Sequence, residues 1–258
     1  MRISIVTGAS SGLGREFAKQ VAAAGGIDQL WVVARRAERL EALKEELETS
    51  HAGLTVRPVT LDLTSQPEID KLAEMLAAEK PQVDVLVNAS GFGKYGTYLD
   101  LTTEEITQMI DLNCKSVVLL TYAVLPFMAA KSRVINMGSA SAFQPLPEFN
   151  MYASTKSFVV HFSRALNVEL KSRGISVTCV CPGFVRTEFF DVARDTANPD
   201  TCQNFTPMYE PEDVVRKALA DSLRGKDLSV LGLNTKLKRM AGKLLPAKIV
   251  MATWMKIK

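Results

Sequence analysis

The stretch from Ile3 to Ala24, ISIVTGASSGLGREFAKQVAAA, decides the fold. Ile3 to Thr7 is apolar on nearly every residue, as a strand must be when both faces of its sheet are covered. Gly8, Gly12 and Gly14 follow at GxxxGxG spacing, and beyond them apolar residues recur at the three and four spacing of a helix. Strand, glycine turn and helix in that order bring free N–H groups and the positive end of a helix dipole to a strand end. Glycine there lets the backbone approach a pyrophosphate closely. Gly8, Ser10, Ser11, Gly12, Leu13 and Gly14 are therefore candidate cofactor-binding residues, although the spacing differs from the general GxGxxG fingerprint.

The same alternation continues along the chain. Strand-like runs occupy 30–34, 54–61, 83–88, 133–138, 175–181 and 228–232. Helical patterns occupy 12–24, 36–49, 66–79, 102–129, 150–173 and 211–223. Short apolar strands alternating with amphipathic helices define a doubly wound α/β fold with a parallel sheet. Ligands then bind at the carboxyl ends of the strands, where strand order reverses. No repeat or Pro/Gly/Ser linker divides the chain, so one domain is expected over 1–232. Residues 188–210 have weak periodicity and are expected to form a lid, and 233–258 a basic helical extension.

With 47% apolar and 23% charged residues among 258, the composition is that of an ordinary globular protein. Leaderless entry into the first strand and the lack of an 18-residue apolar run lead to the expectation of a soluble, cytoplasmic protein. Cys114, Cys179, Cys181 and Cys202 form no CxxC pair and read as free thiols of a reducing compartment. The net charge is +3, yet Leu228 to Lys258 holds seven basic residues and no acidic one. That tail reads first as a solvated helical cap and second as a peripheral contact to an anionic membrane surface or acidic ligand. Nucleic acid is not an expected partner.

About 20 residues past the last glycine, an NAD-binding chain would carry an Asp or Glu for the ribose 2′-hydroxyl. This chain reads Ala34, Arg35, Arg36. Two guanidinium groups suit a 2′-phosphate, so NADP(H) is the expected cofactor, with Arg35 the favoured contact. Further on, Tyr152 and Lys156 are four apart on one helix face. A nearby ammonium stabilises a phenolate and is expected to lower the Tyr152 pKa, fitting it for proton transfer to a carbonyl or from an alcohol. Ser139 follows a strand, where its hydroxyl can steady a substrate oxygen. His51 and His161 fit neither a metal cluster nor a hydrolase triad, and Gly138-Ser139 lacks the GxSxG elbow. No metal is expected.

Taken together, these motifs closely resemble the short-chain dehydrogenase/reductase family over roughly residues 1–230. Thr7 to Gly14 looks like the family's TGxxxGxG, and Asn113, Ser139, Tyr152 and Lys156 look like its catalytic tetrad. The resemblance implies a Rossmann fold and hydride transfer between a nicotinamide and a carbonyl or alcohol, with Tyr152 passing the proton and Asn113 holding a relay water. It also implies cofactor contacts at Asp62 and Leu63, at Asn88, Ala89 and Gly91, and at Pro182, Gly183, Val185 and Thr187, with Lys156 on the nicotinamide ribose. A homodimer or homotetramer built on the Tyr-bearing helix is implied as well. The family's NNAG reads Asn88-Ala89-Ser90-Gly91 here, which departs at the second Asn.

Phe92, Tyr95, Phe143, Leu146, Phe149, Phe189, Phe190 and Met208 are expected to flank the cavity. An apolar ketone, aldehyde or steroid-like alcohol would suit such a wall. The competing reading is a non-catalytic NADP-binding regulator or scaffold of the same fold.

Overall fold

The computed structural model describes residues 1–258. Its first half runs β1 (Arg2–Thr7), α1 (Gly12–Ala24), β2 (Gln29–Ala34), α2 (Ala37–Ser50), β3 (Thr55–Thr60), α3 (Gln66–Glu79), β4 (Gln82–Asn88), α4 (Thr103–Ile110) and α5 (Ser116–Val124). The second half runs β5 (Arg133–Met137), α6 (Asn150–Glu169), β6 (Ser176–Val180), β7 (Phe184–Val185), α7 (Phe189–Arg194), β8 (Met208–Tyr209), α8 (Pro211–Leu223), β9 (Leu228–Ser229), α9 (Leu233–Leu244) and α10 (Ala247–Ile257).

Seven strands pair in the order β3-β2-β1-β4-β5-β6-β9, every pair parallel. Neighbouring residues of each strand feed opposite faces of this sheet. Val6, Val32 and Val87 pack against Phe17, Leu43 and Val215 of α1, α2 and α8, while Ile5, Val33 and Leu86 pack against Leu72, Leu120 and Leu166 of α3, α5 and α6. That two-sided burial is why the strands are apolar throughout. Strand order reverses between β1 and β4, which opens a crevice at their carboxyl ends.

Four expected elements differ in detail. The helix foreseen over 102–129 starts from a capping box between Thr102 and Glu105, widens into a π-helical turn at Asp111–Lys115, and ends in a 3-10 turn at Leu125–Phe127. By length and composition its Thr103–Phe127 run could cross a membrane; here Val117, Leu120 and Val124 pack in the core. The helix foreseen to 173 stops at Glu169, before a left-handed Gly174. The last strand is two residues long. The stretch 188–210 is not structureless: it holds α7 and β8, and β8 pairs with β7.

Candidate active site

At the crevice the glycine turn is fixed by close packing. Gly8 has φ +67°, and a Cβ there would lie 2.8 Å from the Ala89 carbonyl carbon and oxygen. A Cβ on Gly14 would strike the Gly8 carbonyl oxygen at 2.2 Å. The last residue of β1 ties the two loops together, because Thr7 Oγ1 accepts from the N–H groups of Ala89 at 3.1 Å and Ser90 at 3.2 Å. The α1 N-terminus has no side-chain cap from Ser11 and no acidic residue in its first turn. Its N–H groups and dipole therefore face the crevice, open to an anion.

A cleft of about 610 Å³ runs from this turn to the end of β5. Gly8, Ser10, Ser11, Gly12, Leu13, Gly14, Arg35, Arg36, Asp62, Leu63, Ala89, Gly91, Pro182, Gly183, Val185 and Thr187 all line it. Arg36 donates to Ser10 Oγ at 3.0 and 3.1 Å and to Ser11 Oγ at 2.6 Å. Arg35 instead leans toward Asp62, with 3.9 Å between their charged atoms. Asp62 accepts from the N–H and hydroxyl of Thr64 at 3.0 and 2.8 Å. Burial raises its pKa, but those bonds and Arg35 outweigh it and hold the carboxylate below its usual range. Glu188, immediately before α7, pairs with both Arg36 at 3.2 Å and Arg39 at 2.8 Å.

Asn88 is placed differently from expectation. Its side chain turns away from the cleft into the core, where Nδ2 donates to Asn136 Oδ1 at 2.9 Å and Thr121 Oγ1 at 3.1 Å; Asn136 in turn donates to Ser163 Oγ at 2.9 Å. This buried polar chain ties β4 and β5 to α5 and α6. Ala89, where the NNAG pattern has its second Asn, is held through its backbone by Thr7.

Ser139, Tyr152 and Lys156 come together at the far end of the cleft. Ser139 extends from β5 and caps a 3-10 turn, accepting from the Ser141 N–H at 3.1 Å. Tyr152 and Lys156 project from the first turns of α6, both buried. Lys156 Nζ donates to the Met137 carbonyl at 2.9 Å. Asn113 lies behind the cleft wall on the π-helical turn. Its Oδ1 accepts from the Phe92 N–H at 3.1 Å, and its Nδ2 donates to the Phe92 carbonyl at 2.8 Å and Thr155 Oγ1 at 3.1 Å. A Cβ on Gly91 would sit 2.8 Å from Asn113 Oδ1 and 3.2 Å from Lys156 Nζ, so this glycine leaves open the gap between the two groups.

The electrostatics depart from the sequence expectation. Burial pushes the Tyr152 phenol well above its ordinary range, and a hydrogen bond from Ser139 pulls it back only in part. Burial likewise pulls Lys156 down, to about 8. Desolvation dominates both groups, which is the usual result when a titratable side chain leaves water.

Around Tyr152 the wall is aromatic. Phe149 stacks on it at 4.5 Å between centroids, Tyr95 stacks on Phe149 at 4.0 Å, and Phe189 tilts against Tyr152 at 5.3 Å. Phe92, Leu146 and Phe190 also line the cleft as expected. Phe143 and Met208 do not. Phe143 turns outward to pack with Val160 and Leu228 under Arg239, and Met208 is taken up by its pairing with Phe184. Sequence reasoning missed Trp254 of α10, Lys94, and Thr235 and Lys238 of α9, all of which line the cleft. None lies in a local motif, and only the tertiary fold brings them here.

Crevice, glycine turn and Ser-Tyr-Lys cluster define a nicotinamide-dependent oxidoreductase acting on CH–OH or C=O groups. The sequence matches the short chain dehydrogenase family over residues 2–198, and the chain belongs to that family. It is 35% identical over 220 residues to the NADP-dependent 3-hydroxy acid dehydrogenase of Salmonella typhi, covering 82% of this chain and 85% of that one. A short-chain dehydrogenase from Sphingobium yanoikuyae in complex with NADPH superposes with a TM-score of 0.80 at 29% identity, covering 94% and 93% of the two chains. The bulky-bulky ketone specific alcohol dehydrogenase from Comamonas testosteroni gives 0.76 at 25% identity, covering 94% and 92%.

Proposed function

We propose that the protein interconverts apolar ketones or aldehydes and their alcohols with NADP(H), Tyr152 transferring the proton. The observation that carries this reading is the burial of Tyr152 beside Ser139 and Lys156, inside an aromatic wall continuous with the glycine turn.

The cradle fits a dinucleotide: no Cβ can be accommodated at Gly8 or Gly14, and the α1 N–H groups have no side-chain cap. The turn from Gly8 to Gly14 would hold the pyrophosphate, and Asp62 and Leu63 the adenine end. Ala89, Gly91, Pro182, Gly183, Val185, Thr187 and Lys156 would hold the nicotinamide end. Arg35, Arg36 and the hydroxyls of Ser10 and Ser11 offer donors for a 2′-phosphate. When bound, the nicotinamide supplies or accepts the hydride.

The protein's own groups handle the proton. A raised pKa keeps Tyr152 protonated, the form that donates to a carbonyl oxygen. Ser139 Oγ accepts from Ser141, and its O–H, which otherwise pairs with the Tyr152 oxygen, can turn to donate to the same substrate oxygen. The gap over Gly91 joins Asn113 Oδ1 to Lys156 Nζ, a path by which Tyr152 can be reprotonated. Apolar residues around Tyr152 exclude water and favour substrates that bring apolar surface. Likeness to the bulky-bulky ketone specific alcohol dehydrogenase from Comamonas testosteroni supports a bulky ketone within that class.

Two further expectations stand with this reading. Free thiols at all four cysteines suit a reducing cytoplasm. Exposed Tyr122 and Phe158, clustered with Phe162 on α5 and α6, offer an uncharged apolar face for self-association. The substrate class is tested by turnover of a graded panel, from short hydroxy acids to bulky aryl ketones, with NADPH and NADH. Rising kcat/KM with apolar bulk, and a preference for NADPH, supports the proposal; turnover of short hydroxy acids alone refutes it.

A further inference from the structure

Helix α9 is built inside out. A surface helix of a globular protein turns its apolar stripe to the core and its charges to water. In α9 the residues facing the body are Thr235, Lys238, Arg239 and Gly242: Thr235 is buried, Lys238 Nζ lies 5.4 Å from the Phe184 ring, the Arg239 guanidinium lies 5.7 Å from the Phe143 ring, and a Cβ on Gly242 would strike the Phe143 carbonyl oxygen. The outward face, at spacing 233, 237, 240 and 244, is Leu233, Leu237, Met240 and Leu244, exposed by 72%, 50%, 52% and 75%. Lys236 and Lys243 are interleaved with them.

Helix α10 continues that surface. Val250 and Trp254 hold it to the body, and Trp254 Nε1 donates to the Pro147 carbonyl at 2.9 Å. Leu245, Ile249, Met255 and Ile257 stay exposed among Lys248 and Lys256. At its end Lys258 pairs with Glu148, whose carbonyl accepts from the Gly96 N–H, so the loop bearing exposed Tyr98 and Leu99 abuts the same rim.

We propose that α9 and α10 seat the protein on an anionic lipid surface. Exposed apolar residues interleaved with lysines are the pattern of helices that lie in the membrane interface, where lysines pair with anionic headgroups and apolar side chains enter the acyl boundary. No acidic residue occurs from Leu228 onward to offset that attraction. A second copy is a poor occupant, because a twofold interface sets a patch against itself and would bury lysine against lysine. The uncharged face on α5 and α6 suits that role better. The inner sides of the two helices carry Thr235, Lys238 and Trp254 into the substrate cleft, so docking places its mouth at the bilayer, the source of apolar substrates.

The test is co-sedimentation of the full chain with vesicles of phosphatidylglycerol and phosphatidylcholine, and with phosphatidylcholine alone. It needs no turnover, so its result is independent of the proposed reaction. Partition should be at least about tenfold stronger on the anionic vesicles. It should fall about 20-fold in Lys236→Gln/Lys243→Gln, since each cation near such a surface contributes a factor of about five. Leu237→Glu/Leu244→Glu should abolish it, with circular dichroism and NADPH binding unchanged in both variants. Equal partition on both vesicle types, or partition untouched by the substitutions, overturns the proposal. A dimer that the Leu variant splits would assign the face to a second copy, and binding to polyglutamate but not to vesicles would assign it to an acidic protein; both also overturn it.

Discussion

Lys156 Nζ lies 5.6 Å from the centroid of the Tyr152 ring while donating to the Met137 carbonyl, so the ammonium sits over the ring within the apolar interior. Burial brings its pKa down to about 8 against the opposing pull of the Cys179, Cys114 and Cys181 sulfurs. Because the folded value lies below the ordinary one of about 10.4, the unfolded chain binds more protons between those values, and stability rises with pH across that window. Tyr152 acts oppositely only above about pH 10, where an unfolded phenol ionises. Burial also raises the Cys114 and Cys202 thiols, and the hydrogen bond with Cys179 together with burial raises Cys181. These thiols lose stability as pH rises past the ordinary thiol range, so the lysine shows as a difference. Between pH 8 and 9.5 the melting temperature of the cofactor-free wild type should gain about 3 °C, on the order of 1 kcal/mol, on that of Lys156→Met. A melting temperature that is flat or falling in the wild-type protein, relative to the variant, contradicts the desolvated lysine.

Glu188 competes with any phosphate for Arg36. Arg36→Ala should raise the KM for NADPH about 10- to 100-fold, the value of a charge-assisted hydrogen bond, with little change for NADH. Glu188→Gln should lower the KM for NADPH by up to about fivefold, since exposed pairs are weak. Steady-state kinetics with both cofactors checks the pair of variants, and equal effects on NADPH and NADH would move the 2′-phosphate elsewhere.

The Asn88–Asn136–Ser163 chain is buried and hydrogen-bonded across the sheet. Asn136→Ala removes one hydrogen-bond partner from each of two buried groups, Asn88 Nδ2 and Ser163 Oγ, and should cost about 2 kcal/mol, lowering the melting temperature by about 6 °C. Activity well below the melt should persist. A neutral effect on calorimetric melting would show that the chain is dispensable.

Much of this architecture was legible because the local rules and the tertiary environment agree. β1, β2 and β4 are apolar on both faces and are buried on both. Tyr152 and Lys156 meet because they are four apart on a helix, and Gly8 and Gly14 stand where no side chain fits. Legibility ended where packing overrode pattern. Phe143 lies outside the cleft because its partners, Val160, Leu228 and Arg239, are remote in sequence. Asn88 pointed inward because Asn136 and Thr121 are its partners, and neither is near it in sequence. The Tyr152 pKa moved against expectation because burial, invisible in a motif, is its largest influence. The basic helical extension was legible, but the orientation of α9 was not, because its polar residues face the body, which defeats any reading that assigns apolar stripes to the core.

The central claim, that Tyr152 is the proton-transferring group of a carbonyl reductase, is tested most directly by the turnover of Tyr152→Phe against wild type with NADPH and a bulky aryl ketone, alongside NADPH binding by fluorescence. The substitution keeps the ring packed against Phe149 and removes only the hydroxyl. A fall in kcat of about 10²- to 10⁴-fold with NADPH affinity retained is the predicted result. Turnover within about threefold of wild type, which would place less than 1 kcal/mol on the hydroxyl, would contradict the account.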